Sequence, residues 1–172
     1  MALSVLSVVG SDRPGLTQAL AAAVLAAGGN WLESHLSRLG GLYVGSVLVE
    51  LKAGGVEALV AAVRAVDAEG LEVRVVPATD RLGPAGEALH FGLVGQDRPG
   101  IVNQVATVLR DLKVNIETFE TWVDAEAHSG APLFHMEASL RLPPDLPAGR
   151  VQAALQEISA EIMVDISVIP AK

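Results

Sequence analysis

The apolar and polar positions in the first half of the chain predict a strand, a helix, a hairpin, a second helix and a last strand. An apolar run predicts a buried strand over Leu3–Val9. A helix follows over Pro14–Ala27, with Pro14 in its first turn, where the missing N–H leaves no hydrogen bond unmade. The pattern then predicts strands over Asn30–Leu39 and Leu42–Leu51 around a Gly40-Gly41 turn, a helix through Val56–Val66 ended by Gly70, and a strand over Leu71–Val76.

The second half repeats this order of elements with a longer hairpin. Its predicted elements are Ala88–Val94, Pro99–Lys113, Asn115–Val123, Leu133–Leu142, a helix around Val151–Ala160, and Ile162–Ile169. Asp124–Pro132 replaces the two-glycine turn and adds six residues. In the second arm of each hairpin, alternate residues form one apolar face. These faces are Tyr43, Gly45, Val47, Val49 and Leu51, and Phe134, Met136, Ala138, Leu140 and Leu142.

A βαββαβ order that occurs twice predicts an α+β protein of two ferredoxin-like sandwiches, each an antiparallel sheet with two helices on one face. We place these domains at residues 1–77 and 88–172, with a linker at 78–87. A repeated hexapeptide supports duplication. Gly10–Gly15 reads Gly-Ser-Asp-Arg-Pro-Gly, and Gly95–Gly100, which lies 85 residues later, reads Gly-Gln-Asp-Arg-Pro-Gly.

Composition and charge narrow the class of protein. Half of the residues, 51%, are hydrophobic and 19% are charged, as in a compact globular protein. No apolar run reaches the ~20 residues of a membrane helix, and the N-terminus lacks the basic region of a signal peptide, so we expect a cytoplasmic protein without membrane contact. The absence of cysteine excludes disulfides and thiolate chemistry. A net charge of −8 without a basic cluster argues against direct binding to nucleic acid.

Each repeat resembles the ACT domain, a regulatory module that binds amino acids. The resemblance lies in the order of a strand, the sequence Asp-Arg-Pro-Gly, a helix, and an Asn at the start of the next strand. Asn30 and Asn115 both fit this pattern. Two such units over Leu3–Pro170 resemble the family of the glycine cleavage system transcriptional repressor. The resemblance implies a non-catalytic homodimer without cofactor that senses a small amino acid of the glycine or serine class. The protein would transmit the presence of the amino acid to a DNA-binding regulator by direct protein–protein contact. The alternative is an allosteric or structural subunit of a metabolic enzyme.

The two repeated loops are the first candidates for the ligand site. Backbone N–H groups at the helix start can hold a carboxylate, Gly15 permits close approach, and Asp12 can meet an ammonium group. The alternative is that Asp12 caps the helix while Pro14 and Gly15 shape the turn. The candidate residues are Asp12, Arg13, Pro14, Gly15 and Leu16 in the first loop, and Asp97, Arg98, Pro99, Gly100 and Ile101 in the second.

Two further candidates follow the first helix of each repeat: Asn30 and Trp31 in the first, and Asn115 and Ile116 in the second. The resemblance implies that residues here contact the bound amino acid across a domain interface. The alternatives are that each Asn is a left-handed helix C-cap and that Trp31 and Ile116 pack in the core.

Catalysis and metal binding have little support in the sequence. The histidines His35, His90, His128 and His135 lack metal-site spacing, and no Ser, His and Asp stand in a triad frame. We interpret the acidic arm Glu117, Glu120, Asp124 and Glu126 as a solvated face, although an acid–base site is an alternative. Acylphosphatases share the fold and hold phosphate with a loop Arg, where Arg13 and Arg98 lie. However, their glycine-rich cradle is missing, and the neighbouring Asp would repel phosphate.

Overall fold

The structure is a computed structural model that describes residues 2–68, 70–78, 86–126, 130–162 and 164–170. The chain divides into two compact parts, Met1–Arg81 and Leu82–Lys172, here called unit 1 and unit 2. Residues 79–85 of the predicted linker and His128 lie outside the described residues. Within the described part of the chain, no helix is long and apolar enough to cross a membrane.

Each unit folds as βαββαβ, as predicted. Unit 1 contains β1 (Ala2–Ser11), α1 (Leu16–Ala26), β2 (Asn30–Leu39), β3 (Leu42–Leu51), α2 (Gly55–Ala68) and β4 (Leu71–Pro77). Unit 2 contains β5 (Ala88–Gln96), α3 (Ile101–Asp111), β6 (Asn115–Ala125), β7 (Pro132–Arg141), α4 (Ala148–Ile162) and β8 (Val164–Pro170). The sheets are antiparallel, with strand orders β2-β3-β1-β4 and β6-β7-β5-β8. The prediction of two ferredoxin-like sandwiches is confirmed.

The predicted helix starts at Pro14 and Pro99 are wrong by two residues. The N-caps are Gly15 and Gly100, whose φ angles of 95° and 99° interrupt the helical backbone. The prolines therefore lie in the turn before each helix and not in its first turn. The predicted strand start at Ile162 is also wrong, because α4 continues through that residue.

One face of each sheet packs against its helices and forms the core of that unit. In β3, Val47, Val49 and Leu51 are at most 1% exposed, and Met136 and Leu140 of β7 are fully buried. These residues belong to the apolar faces predicted from alternation. The opposite side of each sheet, away from this core, is here called the outer face. Because side chains alternate, the outer face carries the residues between the buried ones.

Candidate functional site

Each repeated loop joins the first strand of its unit to the first helix and is tied to the end of the neighbouring hairpin. The Asp12 N–H donates to the Gly41 carbonyl at 3.3 Å, and the Asp97 N–H donates to the Pro132 carbonyl at 3.1 Å. Equivalent backbone hydrogen bonds therefore hold the two loops at equivalent positions in their units. Both loops are largely exposed, and Arg13 and Arg98 each have an interaction partner.

Backbone N–H groups at the start of α1 and α3 lack partners within their helices. The first helical bond runs from the Ala19 N–H to the Gly15 carbonyl at 2.9 Å, and its counterpart runs from Gln104 to Gly100 at 3.0 Å. The N–H groups before them, at residues 16–18 and 101–103, precede the first helical bond and have no partner within the helix. A methyl group at Gly15 or Gly100 would meet no atom within 4 Å. Open space therefore adjoins donors that suit an anionic group.

Asp12 is not the N-cap residue of α1, because that position is Gly15, and Gly100 holds it in α3. Instead, an Asp12 carboxylate oxygen lies 3.0 Å from Nε of Arg38, a residue of β2. This ion pair is on the surface, since the side chain of Asp12 is 35% exposed and that of Arg38 is 72% exposed. Arg38 could not be identified from the sequence, because only the β2–β3 register places it beside the loop.

Unit 2 has no counterpart of this ion pair at the Arg38 position. Arg38 pairs with Tyr43 in unit 1, and Val123 pairs with Phe134 at the same place in unit 2. Unit 1 also has a hydrogen bond of 2.7 Å between the hydroxyls of Thr17 and Tyr43. The two loops thus share a backbone frame but differ in the polar groups around it.

The side chains of Leu16 and Ile101 belong to the core. They are 3% and 2% exposed, so these residues offer a ligand only their backbone N–H groups. Trp31 and Ile116 also pack against the cores of their units, as the packing interpretation predicted.

The interpretation of Asn30 and Asn115 as left-handed caps is wrong. The left-handed residues after the helices are Gly28, with φ of 68°, and Lys113, with φ of 57°. Both asparagines are exposed and begin strands β2 and β6.

Within one unit, the loop and the asparagine lie at opposite ends of the same helix. Asp97 precedes α3 and Asn115 follows it, and a helix of 11 residues is about 16 Å long. A depression of ≈ 480 Å³ adjoins Asn115 and Ile116, together with Arg110 and Lys113. The structure therefore places the candidate residues of each unit in two separate groups. A small amino acid is too short to contact both groups of one unit at once.

Glu117 and Asp124, two of the four carboxylates of the acidic arm, make side-chain contacts. Glu117 accepts two hydrogen bonds from Arg141, at 3.0 and 3.2 Å, and Arg141 also donates to the Gly86 carbonyl. Asp124 lies 2.9 Å from Nε2 of His135. Among the described residues, no group of three or more His, Asp or Glu side chains forms a metal site. This arrangement favours the interpretation of the arm as a structural, solvated face.

Comparison with known proteins supports the assignment of the domain. The sequence profile of the ACT domain matches residues 3–76, nearly all of unit 1. A solved structure of an unknown protein from Galdieria sulphuraria is 28% identical, with a TM-score of 0.87 and 99% of each chain covered. The structure of a candidate glycine cleavage system transcriptional repressor has a TM-score of 0.73 at 16% identity. It covers 99% of this chain and 98% of that chain. No curated protein matches the sequence.

The ACT-domain profile matches unit 1 alone. Both solved structures share the whole two-unit fold with this chain.

Proposed function

We propose that this protein is a non-catalytic sensor of a small amino acid of the glycine or serine class, similar in role to a glycine cleavage system repressor. The observation that carries the proposal is the pair of helix starts at Gly15 and Gly100, where N–H donors without a partner in the helix adjoin open space. In the proposed complex these donors bind the ligand carboxylate. The protein acts in the cytoplasm as a homodimer and transmits the ligand signal by contact with a partner regulator.

Loop 2, Gly95–Gly100, is the stronger candidate to hold the ammonium group. In unit 1 the Asp12 carboxylate is already paired with Arg38, whereas unit 2 has Val123 at the corresponding position. The charge of the Asp97 carboxylate is therefore not offset by an arginine at this position, and Asp97 attracts a ligand cation more strongly than Asp12 does. Since Asn115 lies at the far end of α3, an asparagine from a second copy of the chain would complete the site.

A partner protein, rather than DNA, is the proposed target of the signal. The net charge of −8 opposes association with a phosphate backbone, because such binding depends on Lys and Arg that neutralise phosphates. An acidic surface is compatible with a basic, DNA-binding partner.

Ligand binding should raise the melting temperature of the protein. At about 100 times its dissociation constant, a ligand that binds only the folded state adds ~2.7 kcal/mol to the free energy of unfolding. We expect glycine or serine at millimolar concentrations to give this shift in a thermal denaturation screen of the twenty amino acids. If no amino acid raises the melting temperature, the sensing function is wrong.

The same substitution in both loops serves as a matched control for this screen. Asp97→Asn should weaken binding by about 1–3 kcal/mol, the contribution of a hydrogen bond to a charged group. Asp12→Asn should have a smaller effect, because Arg38 already neutralises that carboxylate. Calorimetric titration gives both affinities, and equal losses in the two variants would contradict the proposed difference between the loops.

A further inference from the structure

The outer face of unit 2 contains a cavity that is separate from both loops. Its volume is ≈ 280 Å³, close to the lower end of the about 300–1,000 Å³ typical of small-molecule pockets. All four strands of the sheet contribute to its wall. The residues that line it include Gly92, Val94, Trp122, His135, Glu137 and Ser167.

Gly92 leaves room in the middle of this cavity. It pairs with Glu137 of β7 on one side and with Ser167 of β8 on the other. A methyl group at Gly92 would lie 2.7 Å from Oγ of Ser167. The Ser167 hydroxyl therefore lies over Gly92, where the side chain of any other residue would stand, and the Glu137 carboxylate is on the strand at the other side.

An ordered aromatic pair forms another part of the wall. The rings of Trp122 and His135 stack with centroids 5.0 Å apart and an angle of 4° between their planes. His135 Nε2 lies 2.9 Å from an Asp124 carboxylate oxygen, which requires the proton on Nε2. In the neutral ring the other nitrogen, Nδ1, is then a hydrogen-bond acceptor.

The charge of the cavity is negative. Glu137 contributes a carboxylate, and no Lys or Arg is among the described residues that line the cavity. On the neighbouring strand, Glu120 stands directly opposite Glu137. Like charges in this arrangement destabilise a sheet, so a bound cation would relieve their repulsion.

From these observations we propose that the cavity binds a primary alkylammonium group. The ammonium donates to the Glu137 carboxylate and to His135 Nδ1, while the alkyl chain lies against Val94 and Trp122. The source of the group is either a free amine or the lysine side chain of a partner protein.

Unit 1 does not repeat this chemistry. The positions that correspond by register to Gly92, Glu137 and Ser167 hold Ser7, Ser46 and Arg74. Arg74 there lies 3.3 Å from Glu72. The cation site is therefore expected in unit 2 only.

Titration with butylammonium chloride tests the proposal in the full chain. A Trp31→Phe background leaves Trp122 as the single tryptophan, so its fluorescence reports on the cavity. We expect a saturable change with butylammonium at constant ionic strength and none with butanol or butyrate. Saturation by a capped lysine as well would identify a protein side chain as the source, whereas saturation by butylammonium alone would identify a free amine. Absence of a saturable change with butylammonium would overturn the proposal.

Two variants and one matched control locate the binding. Glu137→Gln should weaken butylammonium binding about tenfold or more, the effect of losing a charge-assisted hydrogen bond. Glu120→Gln removes the same charge from the opposite strand but lies outside the cavity lining, and should cost about twofold or less. Gly92→Ala forces the Ser167 hydroxyl into the cavity and should also weaken binding about tenfold. Binding by Glu137→Gln as tight as that of the parent protein would contradict the site.

Discussion

Replacing Gly45 with alanine should destabilise unit 1 by about 3 kcal/mol or more. Gly45 lies in β3 with a φ of 149°, a conformation that residues with a side chain rarely adopt. A Cβ atom there would lie 1.9 Å from the His35 carbonyl oxygen and 2.9 Å from the Leu36 Cα. These are backbone atoms of the paired strand β2, so the clash can be relieved only by moving that strand.

Urea unfolding in a Trp122→Phe background measures this effect, because Trp31 then reports on unit 1 alone. Ser46→Ala is the matched control, since Ser46 is the next residue and lies on the outer face. Its effect should stay within about 0.5 kcal/mol. A Gly45→Ala variant as stable as this control would contradict the close β2–β3 contact.

Replacing Phe91 with alanine should lower the free energy of unfolding of unit 2 by about 3–5 kcal/mol. Phe91 is fully buried, in the middle of β5, and belongs to the core between the sheet and its helices. Its removal leaves a cavity that the strands on both sides of β5 cannot close without breaking their pairing. The loss therefore includes both the transfer of the ring to water and the cavity left behind.

The corresponding measurement follows Trp122 in a Trp31→Phe background. Ile169→Ala is the control in the same sheet, because Ile169 is 57% exposed on the neighbouring strand β8. It should cost about 1 kcal/mol or less. If Phe91→Ala loses no more stability than this control, the assignment of Phe91 to the centre of the core is wrong.

The order of the elements could be predicted from the sequence because apolar residues recur with a different period in helices than in half-buried strands. The alternation in Leu42–Leu51 predicted both the bounds of β3 and its buried face. The first residue of each helix was harder to predict from the sequence. Proline at the first helical turn is a common pattern, but the positive φ of Gly15 and Gly100 moves each helix start beyond the proline.

The side-chain pairs could not be predicted, because they depend on strand register. Pairing in β2–β3 shifts between Trp31 and Glu33, and in β6–β7 between Ile116 and Thr118. Each shift changes which residues face each other along the rest of the hairpin. The contact of Asp12 with Arg38 depends on this register, as does the stacking of Trp122 on His135.

The most direct test of the sensing function is an NMR titration of the 15N-labelled protein with glycine and with serine. The N–H groups of residues 16–18 and 101–103 are the proposed carboxylate donors. We predict saturable shifts of these amide signals, with the larger set at residues 101–103 and further shifts at Asn30 or Asn115. Binding that leaves the signals at both helix starts unchanged would contradict the account and place the amino-acid site elsewhere.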